Sequence, residues 1–116
     1  MSRRLAQGFK YALIGLKLAW AEELNFRIEI ICALLAGALG IFLNLPPAEF
    51  ALLALTISTV LAVEAFNTAL EELCDKFQPT HDPHIAKIKD LSAAAVLLAS
   101  LGAAIVGVIL FVPHLW

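Results

Sequence analysis

Charge is scarce in this sequence: Asp, Glu, Lys and Arg make up 16% of its 116 residues. None lies between Leu91 and Val112, no basic residue stands between Arg27 and Lys76, and none follows Lys89. With 61% hydrophobic residues and a mean hydropathy of +0.88, so little charge excludes an ordinary water-soluble domain, whose apolar share is about 45–50%. A formal net charge of -2 is too small to imply a nucleic-acid partner or an acidic tail. Cysteine is limited to Cys32, in an apolar run, and Cys74, just beyond a charged segment. The two are expected at different depths, as packing residues and not as a disulfide or a metal site. The first twenty residues lack the uncharged hydrophobic stretch of a cleavable signal peptide, because Arg3, Arg4, Lys10 and Lys17 interrupt them, so the N-terminus is expected to stay on the mature protein. Internal repeats, linkers and low-complexity segments are missing too.

What is present is long apolar runs. Leu91 to Val112 offers 22 uncharged residues, enough at about 1.5 Å per residue to cross a hydrocarbon core of about 30 Å. Ile28 to Leu45 is a second span, broken only by Glu29 near its start and ended by Asn44, Pro46 and Pro47. Phe50 to Val63 is apolar for 14 residues, and its helical pattern continues through AVEAFNTALEELCDKF, so this element crosses the membrane and projects beyond it. In the N-terminal segment Leu5, Phe9, Leu13, Leu16 and Trp20 recur at helical spacing with basic residues between them. Such a helix sits at the interface, either on lipid or against the protein's own bundle. The expected architecture is an all-α membrane protein of one domain, 1–116, with an amphipathic interfacial helix over 1–24 and three transmembrane helices over about 28–45, 50–73 and 91–112. All eight basic residues then fall on one side of the bilayer, which the positive-inside rule makes the cytoplasm, with the Pro46-Pro47 turn and Trp116 outside.

Glu64, Asn67, Glu71 and Asp75 follow spacings of three, four and four, and so share one helix face that begins where the apolar run ends. A charged group at the bilayer centre costs about 2.5–3.5 kcal/mol on insertion scales, so carboxylates near this depth call for partners, water or a function. The plain alternative is a solvated face on a helix that has left the membrane. Glu22, Glu23, Arg27 and Glu29 precede the first span on the same side, and Lys89 and Asp90 immediately precede the third. Carboxylates converging with lysines suit Mg²⁺ and a nucleotide polyphosphate, and phosphoryl transfer needs little beyond positioning, charge neutralisation and a carboxylate to take the acceptor's proton. The sequence has no GxxxxGK[ST], GxGxxG, HRD or DFG element, which excludes an ordinary P-loop enzyme or protein kinase. His81, Asp82 and His84 raise a transition-metal site, but without HExxH and with Pro79 and Pro83 among them they read better as a nucleotide-contacting or solvated loop.

VEAFNTALEELCD at Val63 to Asp75, AKIKDLSAAAVLL at Ala86 to Leu98, EELNFRIE at Glu22 to Glu29 and the opening FKYALIGLKLAW resemble, in order and spacing, the small bacterial diacylglycerol kinase and undecaprenol kinase family. That resemblance implies a three-span membrane enzyme, ATP- and Mg²⁺-dependent, that phosphorylates the primary hydroxyl of a lipid and works as a homotrimer in the bacterial cytoplasmic membrane. It implies Glu64 as the catalytic base beside the lipid hydroxyl, Glu23 and Glu71 as metal ligands holding Mg²⁺ against ATP, and Lys89 and Asp90 as the ATP-contacting pair. Asn67 and Asp75 match further motif positions, Asn67 with Ser92 on the substrate side and Asp75 on the nucleotide side, while Arg4 and Tyr11 fall on nucleotide or substrate positions. Two departures stand out. A family serine after the Lys-Asp pair is Ala93 here, with Ser92 beside it, and the loop reads THDPH where many relatives have a tyrosine-histidine pair. NFRI and the AKIKDLSAAAVLL block lean to undecaprenol as acceptor, whereas Glu29 resembles the diacylglycerol branch. The rival from another class is a small proton-coupled multidrug transporter, which calls for four spans and a carboxylate nearer the midplane; a scaffold or holin leaves the acidic face without a purpose.

Overall fold

A computed structural model of the chain describes residues 2–77 and 82–115. The elements run α1 (Arg3–Glu22), α2 (Leu24–Phe42), α3 (Pro47–Phe77) and α4 (Pro83–Phe111), followed by a short 3₁₀ turn, Val112–His114. Helices α2, α3 and α4 are each long and apolar enough to cross a membrane, so the chain is an all-α, multi-pass membrane protein. Each helix starts ahead of its apolar core, because helix ends follow capping and hydrogen bonding and not hydropathy. At α4 the cap is visible: Asp82 Oδ1 accepts the backbone N–H groups of His84 and Ile85 at 2.8 and 3.2 Å, and Pro83 fills the first turn. At about 1.5 Å per residue the 31 residues of α3 extend about 46 Å, more than a hydrocarbon core of about 30 Å, so its polar end stands clear of the apolar slab.

The first span, expected to reach Leu45, stops at Phe42. Asn44 takes a left-handed conformation (φ 55), its N–H donates to the carbonyl of Ile41 at 3.1 Å, and the N–H of Leu45 donates to that of Gly40 at 3.0 Å. These are the paired closing bonds of a Schellman motif with asparagine at the position that glycine usually fills. The same turn folds Leu45 back onto Gly40, where a β-carbon would lie 3.1 Å from both the Leu45 Cδ1 and Phe50 Cε2 atoms. Around this contact sits the apolar core of Leu45, Leu53 and Leu110, with Phe50, Ile57 and Val106 against it. His114 Nε2 lies 3.7 Å from Glu49 Oε1 and ties the end of the chain to the start of α3. Gly40→Leu is expected to lower the unfolding free energy in micelles by about 1–3 kcal/mol through overpacking, read from denaturant titration; an unchanged midpoint would show that the turn opens at no cost.

Helix α1 has no buried residue and packs appreciably only on α2. The apolar side chains of Leu5, Phe9, Leu13, Leu16 and Trp20 are all exposed, which suits the bilayer surface. A single extended residue, Glu23, separates α1 from α2. Arg27 closes the junction, its Nη1 donating to the carbonyls of Trp20 and Ala21 at 2.7 and 3.1 Å, where a cation also meets the negative end of the α1 dipole.

Candidate active site

The site lies at the polar end of the bundle and is built chiefly on the packed pair α3 and α4. Helical spacing along α3 sets Glu64, Asn67 and Glu71 on successive turns of one face, and the α4 turn carrying Lys89 and Ser92 faces them. Asn67 stands at the centre. Its Nδ2 donates to Glu71 Oε1 at 3.4 Å, and its Oδ1 accepts from Ser92 Oγ at 2.7 Å. One turn further along, Lys89 Nζ donates to Asp75 Oδ1 at 2.9 Å, both side chains being well exposed. A pair so exposed adds little to stability, which leaves both groups free to exchange partners.

Glu64 is only 3% exposed although it carries a carboxylate. Glu23, from the α1–α2 junction, and Glu71 are both near enough to act electrostatically on it. The face thus changes along its length: its first carboxylate, Glu64, is buried, whereas Asp75 at its far end is exposed. Glu29 joins the group from α2, interacting with Glu64, and its Oε2 is buried without a hydrogen-bond partner among the described residues. Sequence reasoning placed Glu29 in the acidic layer but gave it no role; the signal was there, an ionisable residue inside an otherwise apolar span. From Glu29 an apolar groove of about 490 Å³ runs between α2, α3 and α4 past Ala36, Ile57, Val60, Ala103 and Gly107.

The other expected residues separate into those near this cluster and those apart from it. Asp90 is exposed beside Lys89. Arg4 and Tyr11 lie along α1, both exposed, and among the described residues α1 does not pack appreciably on α3 or α4 within one chain. Asp82 is engaged in capping α4, and its hydrogen bonds go to backbone and not toward the carboxylates. Thr80 and His81, part of the Thr80 to His84 loop, lie outside the described residues, as does Trp116. Both cysteines are free; Cys74 is buried as expected, while Cys32 is exposed and lines the apolar groove. Among the described residues no three His, Cys, Asp or Glu side chains come together closely enough to enclose a metal ion unaided.

Comparison with known proteins identifies the family. Residues 10–111 match the family described as prokaryotic diacylglycerol kinase. A diacylglycerol kinase of Synechocystis sp. is 39% identical over 112 residues, 96% of this chain and 64% of that protein, so the chain spans a little under two thirds of that relative's length. The diacylglycerol kinase of Escherichia coli K12 is 32% identical over 111 residues, 96% of this chain and 91% of that protein. The undecaprenol kinase of Bacillus subtilis is 28% identical over 112 residues, covering 97% and 91%. With nearly the whole chain matched and every block of the α3–α4 site inside the match, the chain belongs to the prokaryotic diacylglycerol kinase family.

Proposed function

We propose that this chain is a lipid kinase that transfers the γ-phosphate of ATP to the primary hydroxyl of a membrane lipid, diacylglycerol or undecaprenol. The observation that carries the proposal is the buried Glu64, which Glu23, Glu29 and Glu71 are near enough to influence, with Glu29 itself on the wall of an apolar groove. Glu64 takes the proton of the acceptor hydroxyl as its oxygen attacks the γ-phosphorus; the new P–O bond forms as the bond to the β-phosphate oxygen breaks, and ADP leaves. Glu23 and Glu71 would hold Mg²⁺, an ion that takes one or two carboxylates and leaves its other positions to substrate phosphate oxygens and water, so that it needs no third carboxylate. When bound, it supplies neutralisation of the charge on the transferring group. Lys89 exchanges Asp75 for a phosphate oxygen, Asp90 stands beside it on the nucleotide side, and Arg4 and Tyr11 reach the nucleotide or substrate from α1. The groove accepts the lipid chain, its Ala and Gly lining leaving room beside α2.

The clustering of all eight basic residues at the carboxylate end supports a cytoplasmic site in the bacterial inner membrane, where ATP is available. A homotrimer is part of the same reading: it would cover apolar surface that one chain leaves bare and could bring α1 residues to a neighbouring site. Between the two acceptors the observations pull apart. NFRI and the α4 block lean to undecaprenol, whereas the higher identities, 39% and 32% against 28%, belong to proteins named diacylglycerol kinase. Both lipids offer a primary hydroxyl at the same depth, so one experiment addresses both. The purified chain in mixed micelles with Mg²⁺ and γ-labelled ATP is expected to move label into diacylglycerol, undecaprenol or both, and the ratio identifies the acceptor. Label in neither lipid, from folded protein, would overturn the proposal.

A further inference from the structure

Ser92 is a buried polar residue, 8% exposed, on the face of α4 that meets the site. A serine hydroxyl has one proton to donate, and here it goes to Asn67 Oδ1 at 2.7 Å. That bond anchors the Asn67 amide, and the Glu71 carboxylate, which can only accept, sets its facing: the NH₂ group is turned to Glu71 Oε1 at 3.4 Å and the oxygen toward Ser92. The flipped amide would set oxygen lone pairs against the Glu71 carboxylate. Glu71 therefore selects the orientation and Ser92, whose hydroxyl can donate or accept, holds the amide in place by much the shorter of the two contacts. Without the hydroxyl, Asn67 keeps only the long contact and a half-buried oxygen loses its donor.

We propose that Ser92 is a positioning residue that acts through Asn67 to orient the Glu71 carboxylate for metal binding, an inference that rests on the lipid-kinase reading above. Its hydroxyl proton is committed inside the protein, so it reaches the reaction through the amide and not as a donor to the lipid. The role belongs to position 92 in this chain, where the adjacent Ala93 has no hydroxyl to share it. Binding of Mn²⁺, followed by electron paramagnetic resonance on the full chain in micelles with β,γ-methylene ATP, tests this without turnover.

Ser92→Ala is expected to weaken Mn²⁺ binding by about tenfold, the low end of what losing an outer-shell partner costs. Because Ser92 acts through Asn67, adding Ser92→Ala to Asn67→Ala is expected to change the affinity by less than about twofold, whereas independent effects would multiply. Thermal midpoints of the single variants report folding separately. Unchanged Mn²⁺ affinity in Ser92→Ala, or a full further loss in the Asn67→Ala background, would overturn the proposal. If the wild-type chain binds no Mn²⁺ at all, the metal-site reading of Glu23 and Glu71 falls, and this inference with it.

Discussion

Glu64→Gln is expected to slow label transfer into lipid by about a hundredfold to ten-thousandfold, the range of a positioned general base. Glutamine keeps the shape of the side chain and its hydrogen-bonding capacity but cannot take a proton. It also removes one negative charge from a site where Glu23 and Glu71 already act on it, so the variant is expected to fold at least as well as the parent. Metal-nucleotide binding should persist for the same reason. A large loss of turnover in a stable protein that still binds Mn²⁺ and nucleotide is the signature of a base. A loss smaller than about threefold would put Glu64 below the range of general-base catalysis and return it to a structural role.

Glu71→Gln is expected to act on the other side of the reaction. Loss of a metal-binding carboxylate should reduce transfer at limiting Mg²⁺ by about a hundredfold, since ion-stabilised charge on the transferring phosphoryl group is worth several kcal/mol and each ~1.4 kcal/mol is tenfold. Raising Mg²⁺ should recover part of that activity, whereas no concentration should recover Glu64→Gln. Glu23→Gln is expected to follow Glu71→Gln in direction. In Glu71→Gln the new amide oxygen can still accept from Asn67, so the contact across the face survives the substitution and the loss reports the charge. Equal and mild effects at all three glutamates would mean that the face is merely wet.

Much of this was legible from spacing alone. The apolar runs gave three spans because a bilayer accepts little else, and the three-and-four spacing of Glu64, Asn67 and Glu71 placed them on one face before any coordinates. What spacing does not carry is contact between elements. That Ser92 meets Asn67, or that Glu29 ends with a bare carboxylate oxygen near Glu64, depends on how α2 and α4 turn against α3. The end of α2 was misplaced by three residues because the sequence pattern showed apolar residues through Leu45, while the backbone reverses at Asn44 through a left-handed conformation that hydropathy does not register. The junction of α1 and α2 was hidden for another reason: an arginine closing a helix by its carbonyls looks, in sequence, like any other interfacial cation.

That junction also gives the backbone of Glu23 a part in the architecture. It is the one residue between α1 and α2 with extended backbone angles, φ -113 and ψ 108, so the tilt of the surface arm relative to the first span is a rotation about its own bonds. Its carboxylate rides on that pivot. Whatever orients the backbone of Glu23 therefore also sets the direction in which α1 leaves the first span.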